Sequence, residues 1–197
     1  MSRVRPLNPP EVIALWESIE GAREVHRERA VLALCIDSGG LRSEIAHLTR
    51  GDLDLDNGAL TIGAGSRRRT VRLGEMAMAA LREMRGHGDH GDALVRSRNG
   101  HALTVRTVHE QLKRLGELSG VGDWISCRHT RRTWLAETIR ADQMPFEVIV
   151  TLAGHQSARG RRASPEEALA AQLVPGWESP LDRLLASGSA ERLRRAA

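Results

Sequence analysis

Residues 129–157, HTRRTWLAETIRADQMPFEVIVTLAGHQS, contain three side chains of types that can bind phosphate. The stretch is predicted to form two helices. His129 and Arg132 are three residues apart at the start of the first helix, so they share one of its faces. His155 follows a second, shorter helix predicted near 146–153. Two imidazoles and a guanidinium that converge can bind a phosphate and stabilise the extra charge of a pentacoordinate phosphorane. This stretch therefore predicts a phosphate site.

Arginine supplies almost all of the positive charge: of 29 basic side chains, only Lys113 is a lysine. The formal net charge is +4. The arginines cluster, and a planar guanidinium grips phosphate in a bidentate way, which is typical of nucleic-acid binding. A GC-rich coding bias also replaces lysine with arginine, so both explanations stay open. The candidate DNA-binding residues are Arg67, Arg68, Arg69, Arg128, Arg131, Arg159, Arg161 and Arg162.

The partner favoured by this composition is a nucleic-acid backbone. The sequence has one phenylalanine, four tryptophans and no tyrosine, which argues against base-stacking platforms for single strands. No apolar run is long enough to cross a membrane and the N-terminus lacks the apolar core of a signal peptide. Cys35 and Cys127 are expected to be reduced. We therefore expect a cytoplasmic protein without membrane contact.

The periodicity of apolar residues predicts a mainly α fold with a small antiparallel β-sheet, an α+β class. The sheet comes from DLDLDNGALTIGAGSRRRTVRLG, residues 52–74, which alternates apolar and polar residues around Asn57-Gly58. Asn8 is predicted to cap the first helix and Ser43 the third. The remaining predictions are helices over about 24–37, 75–87, 104–120, 129–141 and 146–153, a short strand and turn in 93–104, and a helix from Ser164 onward.

The stretch 129–157 resembles the signature of the tyrosine recombinase (phage integrase) family, in which His-x-x-Arg, a helix and a Leu-x-Gly-His step follow one another. Upstream, LALCIDSGGLRSEIAHLTRGDLDLDNGALTI (32–62) is similar to the arginine-helix segment and first hairpin of the family. GAGSRRRTVRL (63–73) is similar to the second hairpin, and ALVRSRNGHALTVRTVHEQLKRLGELSGV (93–121) fits the stretch between. The match covers roughly residues 8–164, with its segments in order.

This resemblance implies a domain organisation. Residues 8–164 correspond to a recombinase-like catalytic domain, after an N-terminal arm over 1–7 and without the core-binding domain that usually precedes it. Residues 165–197 form a C-terminal helical segment. That segment either docks on a neighbouring subunit, as it often does in the family, or folds back on its own chain.

The resemblance also assigns residues to the site. His129, Arg132 and His155 match the family's His, second Arg and His/Trp. The lysine between two hairpin glycines is replaced by Ala64. A gap-free alignment puts Leu41 at the position of the family's first arginine, whereas an alignment with a one-residue deletion before Ser43 puts Arg42 there. The resemblance thus implies these catalytic candidates: His129, Arg132, His155, Arg42 and, at the nucleophile position, Ser164.

Ser164 stands where the family's tyrosine attacks the scissile phosphodiester. A serine alkoxide is a poorer leaving group than a phenolate, and the sequence identifies no base to activate the hydroxyl. Ser-Pro-Glu-Glu is instead typical of a helix start, with an N-cap, Pro at the first position and acids in the first turn. We interpret Ser164 as an inert cap and expect no strand cleavage.

The sequence therefore predicts a DNA-binding or recombination-regulating protein with a recombinase fold, which is not itself an enzyme. Its partners would be double-stranded DNA and, through the C-terminal segment, an active recombinase or a second copy of the chain. One alternative is an active recombinase with an unusual nucleophile or with a tyrosine supplied in trans. Another is a protein–protein interaction module without DNA contact.

Three smaller alternatives concern individual residues. His129, Arg132 and His155 could form a hydrogen-bonded network in the core instead of contacting phosphate. Arg67–Arg69 could be a solvated turn. HGDHGD, residues 87–92, has donors for a metal, but its glycines favour a linker. We expect no metal and no cofactor.

Overall fold

The computed structural model describes residues 4–84, 89–154 and 163–187 of the 197. Helices dominate these ranges, and one small sheet interrupts them between the third and fourth helices. The helices are α1 (Pro9–Glu17), α2 (Val25–Asp37), α3 (Arg42–Ala46), α4 (Glu75–Glu83), α5 (Val105–Leu118), α6 (Cys127–Ala141), α7 (Phe146–Leu152) and α8 (Pro165–Ala170). A further helical stretch spans residues 180–187.

Local capping explains where several helices begin. The Asn8 side chain accepts from the backbone N–H of Glu11, whose carboxylate accepts in return from the N–H of Asn8, both at 2.9 Å. Thr104 accepts from the N–H of Thr107 at the start of α5, and Gly120, with φ +74°, follows the end of that helix. The sequence predictions for these boundaries are confirmed.

The core is built around α2. All seven residues from Ala30 to Ile36 are fully buried, on every side of the helix. A helix that is buried all round must be enclosed by other elements, and α3, α4, α5 and α6 all pack against it. The position of α2 thus fixes the position of α6, the helix that carries His129 and Arg132.

The sheet is a three-stranded antiparallel meander in the order β1 (Leu53–Asp54), β2 (Ala59–Ile62) and β3 (Arg69–Arg72). Leu60 pairs with Val71 and both side chains are buried. The predicted fold class, mainly α with a small antiparallel sheet, is confirmed.

Two local predictions differ from the structure. Ser43 is not the cap of α3, because the Glu44 carboxylate accepts from the N–H of Leu41 at 2.8 Å and the helix begins one residue after Leu41. The region 93–104 contains no strand; it makes two isolated bridges, Thr49 with Ala93 and Arg96 with Ala102. The turn at Gly100, φ +80°, leaves too few residues on either side for a ladder.

The described part of the C-terminal segment packs on its own chain. Leu181 and Leu184 are buried in the core. The Asp37 carboxylate, at the end of α2, accepts from the N–H of Leu181 at 2.9 Å and from the N–H of Gly74 at 3.0 Å. Across the three described ranges, none of the helices has the length and apolarity that crossing a bilayer requires.

Candidate nucleic-acid interface

His129 lies in the first turn of α6 with its ring turned inward. It is 5% exposed, packs edge-on against Trp124 with the ring centroids 4.8 Å apart, and has Nδ1 3.0 Å from the hydroxyl of Ser126. Its Nε2 is buried and has no hydrogen-bond partner among the described residues. The imidazole is therefore held by a hydrogen bond at Nδ1, while Nε2 makes none among the described residues.

The surroundings of His129 favour the neutral imidazole. Burial lowers its pKa, and the positive charges of Arg5 and Arg132 lower it further against an opposing effect from Glu11. Arg5 lies over the ring of Trp124, 4.7 Å from its centroid, and forms a forked ion pair with Glu11. The N-terminal arm thus brings a cation to the imidazole.

The arginines of α6 divide into two groups. Arg128 and Arg132 are exposed and lie four residues apart on one face of the helix. Arg131 points the other way: it donates to the carbonyl of Gly39 at 2.7 Å and to the carbonyl of Ala153. Arg131 is one turn after the buried Cys127, so its stem starts beside the core. The predicted DNA contact by Arg131 is not what the structure shows, since its guanidinium joins α6 to the ends of α2 and α7.

The exposed arginine of α3 faces the same space as the first turn of α6. Arg42 is the first residue of α3, and together with Arg128 it lines a cavity of about 480 Å³. We call this the arginine cavity. Its lining residues are Leu41, Arg42, Ser43, His109, Ser126, Cys127 and Arg128, with no acidic side chain among them. The two candidates for the position of the family's first arginine, Leu41 and Arg42, both line this cavity. Which of them occupies that position stays a prediction.

The hairpin arginines also separate. Arg67 and Arg68 are exposed beside the turn between β2 and β3. Arg69 is 4% exposed, and its guanidinium donates to the two carboxylate oxygens of Glu44 at 2.9 and 3.2 Å. The predicted phosphate contact by Arg69 is therefore wrong for this structure, because strand alternation turns the side chain inward onto a carboxylate. Ala64, at the family's lysine position, is exposed.

The same contacts explain the acidity of Glu44. Burial acts to raise its pKa, but the hydrogen bonds from Arg69 and from the N–H of Leu41 outweigh that effect and lower it. Glu44 is thus a carboxylate at neutral pH and holds the hairpin against α3.

Ser164 is the N-cap of α8, as predicted. Its hydroxyl accepts from the N–H of Glu167 at 3.1 Å, and the carboxylate of Glu167 accepts from the N–H of Ser164 at 2.7 Å. The remaining predicted site residues lie outside the described residues: His155, Arg159, Arg161 and Arg162. The convergence of His155 with His129 and Arg132 stays a prediction.

The HGDHGD segment is described from Asp89 onward. The N–H of Asp89 donates to Asp92 at 2.9 Å, and Asp92 forms an ion pair with Arg96 at 2.7 Å, while His87 is outside the described residues. Within 4–84, 89–154 and 163–187, no three His, Cys, Asp or Glu side chains are grouped so that they could hold a metal ion.

Sequence reasoning missed the contributions of Arg5, Trp124 and His109 to this region. Arg5 and Trp124 meet only because the arm returns to α6, where the N–H of Leu7 donates to the hydroxyl of Thr133 at 2.8 Å. No periodicity in residues 1–7 signals that contact. His109 lies in the middle of an otherwise ordinary amphipathic helix, and only the packing of α5 beside α3 brings it to the cavity.

Comparison with known proteins places these features in one family. The model of the phage integrase family matches residues 6–160. The chain is 37% identical over 118 residues to tyrosine recombinase XerC of Xanthomonas axonopodis pv. citri (strain 306), and 30% identical over 118 residues to XerC of Xylella fastidiosa (strain 9a5c). These matches cover 58% of this chain but only 39% and 40% of the relatives, so the chain matches about two fifths of their length.

Solved structures agree on the fold. XerA recombinase matches 97% of this chain and 66% of its own, with a TM-score of 0.64 and 18% identity. The catalytic core of lambda integrase matches 81% of this chain and 96% of its own, with a TM-score of 0.59 and 20% identity. A Tn1549 transposon integrase in complex with a circular intermediate DNA gives a TM-score of 0.63 at 18% identity over 98% of this chain and 67% of its own. With the family model matching most of its length, the chain belongs to the phage integrase family.

Proposed function

We propose that this chain binds duplex DNA through its phosphate backbone and does not itself cut the strand, so that it serves as a DNA-binding or recombination-regulating member of its family. The observation that carries this proposal is the arginine cavity at the N-terminal ends of α3 and α6. The partner whose strand exchange it would regulate is an active recombinase of the same family.

The lining of the arginine cavity suits a phosphate. Arg42 and Arg128 are exposed and have no carboxylate partner among the described residues. The first N–H groups of α6 have no carbonyl partner within the helix, and this end of the helix carries a partial positive charge. His109 and the two serines add further hydrogen-bonding groups. Arg132, exposed one turn beyond Arg128, extends the positive surface.

The absence of cleavage rests on two positions that the family fills differently. The sequence contains no tyrosine, and Ser164 at the nucleophile position uses its hydroxyl as a helix cap. Ala64 has no proton to give to a leaving oxygen. The loss of an acid or of a charge-stabilising group lowers the rate of strand cleavage by on the order of 10²–10³-fold each. The remaining residues would therefore bind a phosphodiester without cleaving it.

The relatives support nucleic acid as the ligand. XerC proteins are named as tyrosine recombinases, and the Tn1549 integrase is described in complex with DNA. The shared fold, together with a serine at the proposed nucleophile position, supports a binding or regulatory role.

A salt titration of DNA binding tests the proposal. We expect affinity for a short duplex to fall steeply with salt, and the slope of log affinity against log salt to become shallower by about 1 for each phosphate contact removed. Arg42→Ala with Arg128→Ala is the test variant. Arg140→Ala is the matched control, because Arg140 is an exposed arginine of the same helix at its opposite end, about 18 Å from Arg128. Equal losses in both variants, or no binding at any salt, would contradict the proposed surface.

A trapping experiment tests the second half of the proposal. The protein is incubated with a nicked duplex, from which a cleaved end can diffuse away. Because religation is then prevented, any covalent protein–DNA adduct accumulates. We expect none. An adduct that disappears in Ser164→Ala would show that the serine is a nucleophile and would overturn this reading.

A further inference from the structure

We infer that Cys35 and Cys127 form a modification site: a dithiol between α2 and α6 that a hydroperoxide oxidises to an intrachain disulfide. They are the only cysteines in the sequence. Although 92 positions separate them, their sulfur atoms lie 3.8 Å apart in the core. No feature of the surrounding sequence brings them together, so the contact is a product of the fold.

The interface around the two thiols is tightly held. The guanidinium of Arg131 on α6 donates to the carbonyl of Gly39, just beyond the end of α2, at 2.7 Å. The ring of Trp134 lies so close to Gly39 that a Cβ there would meet it at 2.8 Å. The sulfur atoms therefore stay neighbours in the folded chain, and a further approach of about 1.8 Å would bring them to the S–S bond length.

The two thiols differ in access. Cys35 is fully buried, whereas Cys127 is 5% exposed and lines the arginine cavity. Arg42 and Arg128 line the same cavity, and Cys127 is the first residue of α6, where the helix end is positive. A peroxide that enters the cavity therefore meets Cys127 first, whereas Cys35 is enclosed by the core. The geometry thus assigns Cys127 as the attacking thiol.

The environment of Cys35 suits the second step. Its hydrogen bond with Cys127, and then its burial, raise the pKa of the Cys35 thiol. Cys35 therefore keeps its proton until Cys127 has been oxidised.

The reaction proceeds in two steps that balance. The sulfur of Cys127 attacks a peroxide oxygen, the O–O bond breaks, and the hydroperoxide leaves as an alcohol or water while Cys127 becomes a sulfenic acid. The sulfur of Cys35 then attacks the sulfur of Cys127, the S–O bond breaks, and water leaves with the proton of Cys35. Two thiols are oxidised by two electrons and one hydroperoxide is reduced.

The product would fasten the first turn of α6 to α2. A disulfide that closes a loop of this length restricts the unfolded chain, so we expect the oxidised protein to melt about 5–10 °C higher than the reduced one. Reductant reverses the change, because thiol–disulfide exchange breaks the same bond.

Mass spectrometry of the whole chain tests the inference directly. The reduced protein is treated with hydrogen peroxide while folded, and remaining thiols are alkylated after unfolding. We expect a monomer lighter by two hydrogen atoms, with no alkylated cysteine and with one peptide pair joined through Cys35 and Cys127. Two alkylated thiols after treatment, or a disulfide found only between two chains, would overturn it.

Single variants test the order of the steps. In Cys35→Ser the second thiol is missing, so we expect a sulfenic acid at Cys127 that a dimedone probe captures. In Cys127→Ser the remaining thiol is enclosed, and we expect no dimedone adduct. The reverse pattern would overturn the assignment of the attacking thiol, and circular dichroism of both variants confirms that they are folded.

Discussion

The guanidinium of Arg69 on β3 and the carboxylate of Glu44 on α3 form a buried, two-pronged ion pair, with side chains 2% and 12% exposed. The pair joins the hairpin to the helix that begins at Arg42. Removing one partner leaves a charge in the interior with nothing to compensate it, which is far more costly than losing an exposed pair.

Arg69→Met or Glu44→Gln alone is therefore expected to lower the free energy of unfolding by about 3–5 kcal/mol, measured by urea denaturation. The double variant should lose less than the sum, because it leaves no uncompensated charge. Arg106→Met serves as the control: its partner is Glu110, both side chains are exposed, and we expect a far smaller loss. Losses that simply add would contradict a coupled pair.

Asp37 is expected to make stability depend on pH. Burial raises its pKa to about 7, and the nearby charge of Asp182 contributes. In the unfolded chain the carboxyl has an ordinary pKa of about 3.8, so the folded state is favoured in acid and loses this contribution as the pH rises towards 7. Linkage gives a free energy of unfolding about 2–3 kcal/mol lower at pH 8 than at pH 5 from this group.

The comparison of wild type with Asp37→Asn isolates that contribution, because other groups titrate equally in both. Urea denaturation at several pH values should show the wild type losing stability relative to the variant between pH 5 and 8. Asp56→Asn, at an exposed position, should follow the wild type. Parallel profiles for wild type and Asp37→Asn would refute the assignment.

The pKa of the His129 imidazole should lie below its ordinary value. Burial is the main cause, and the charges of Arg5 and Arg132 add to it. Arg5→Ala removes one of these charges and leaves Glu11 without its arginine partner, so both changes raise the pKa of His129 towards its ordinary value. An NMR titration of the imidazole measures this. Arg106→Ala, on exposed α5 surface, should leave the titration unmoved, and an unchanged pKa in Arg5→Ala would show that the arm does not act on the ring.

Ser164→Ala should destabilise the protein by about 1 kcal/mol, because the first turn of α8 loses its side-chain acceptor. Ser164→Asp keeps an acceptor at the same position and should retain most of that stability. Thermal melts of the three proteins measure the difference. A full loss in Ser164→Asp would argue against capping as the reason for the serine.

Features governed by neighbouring residues could be predicted from the sequence. The caps at Asn8 and Ser164 depend on donors three residues away, and the small antiparallel sheet follows from alternation around a tight turn. The resemblance of 129–157 to the family signature also held, since the family model matches residues 6–160. Each of these depends on contacts or spacing within a short stretch of chain.

The roles of individual arginines needed long-range packing. Arg69 and Arg131 belong to the same clusters as Arg68 and Arg132, yet the first two turn inward and the others reach solvent. Arg69 turns inward because it pairs with the carboxylate of Glu44, 25 residues away in the sequence. Arg131 turns inward because it donates to the carbonyl of Gly39, 92 residues away. The meeting of Cys35 with Cys127 has the same origin. The local sequence pattern sets the face of the helix or strand on which a side chain lies. Its hydrogen-bonding partner, and therefore its charge environment, forms only once distant segments have packed together.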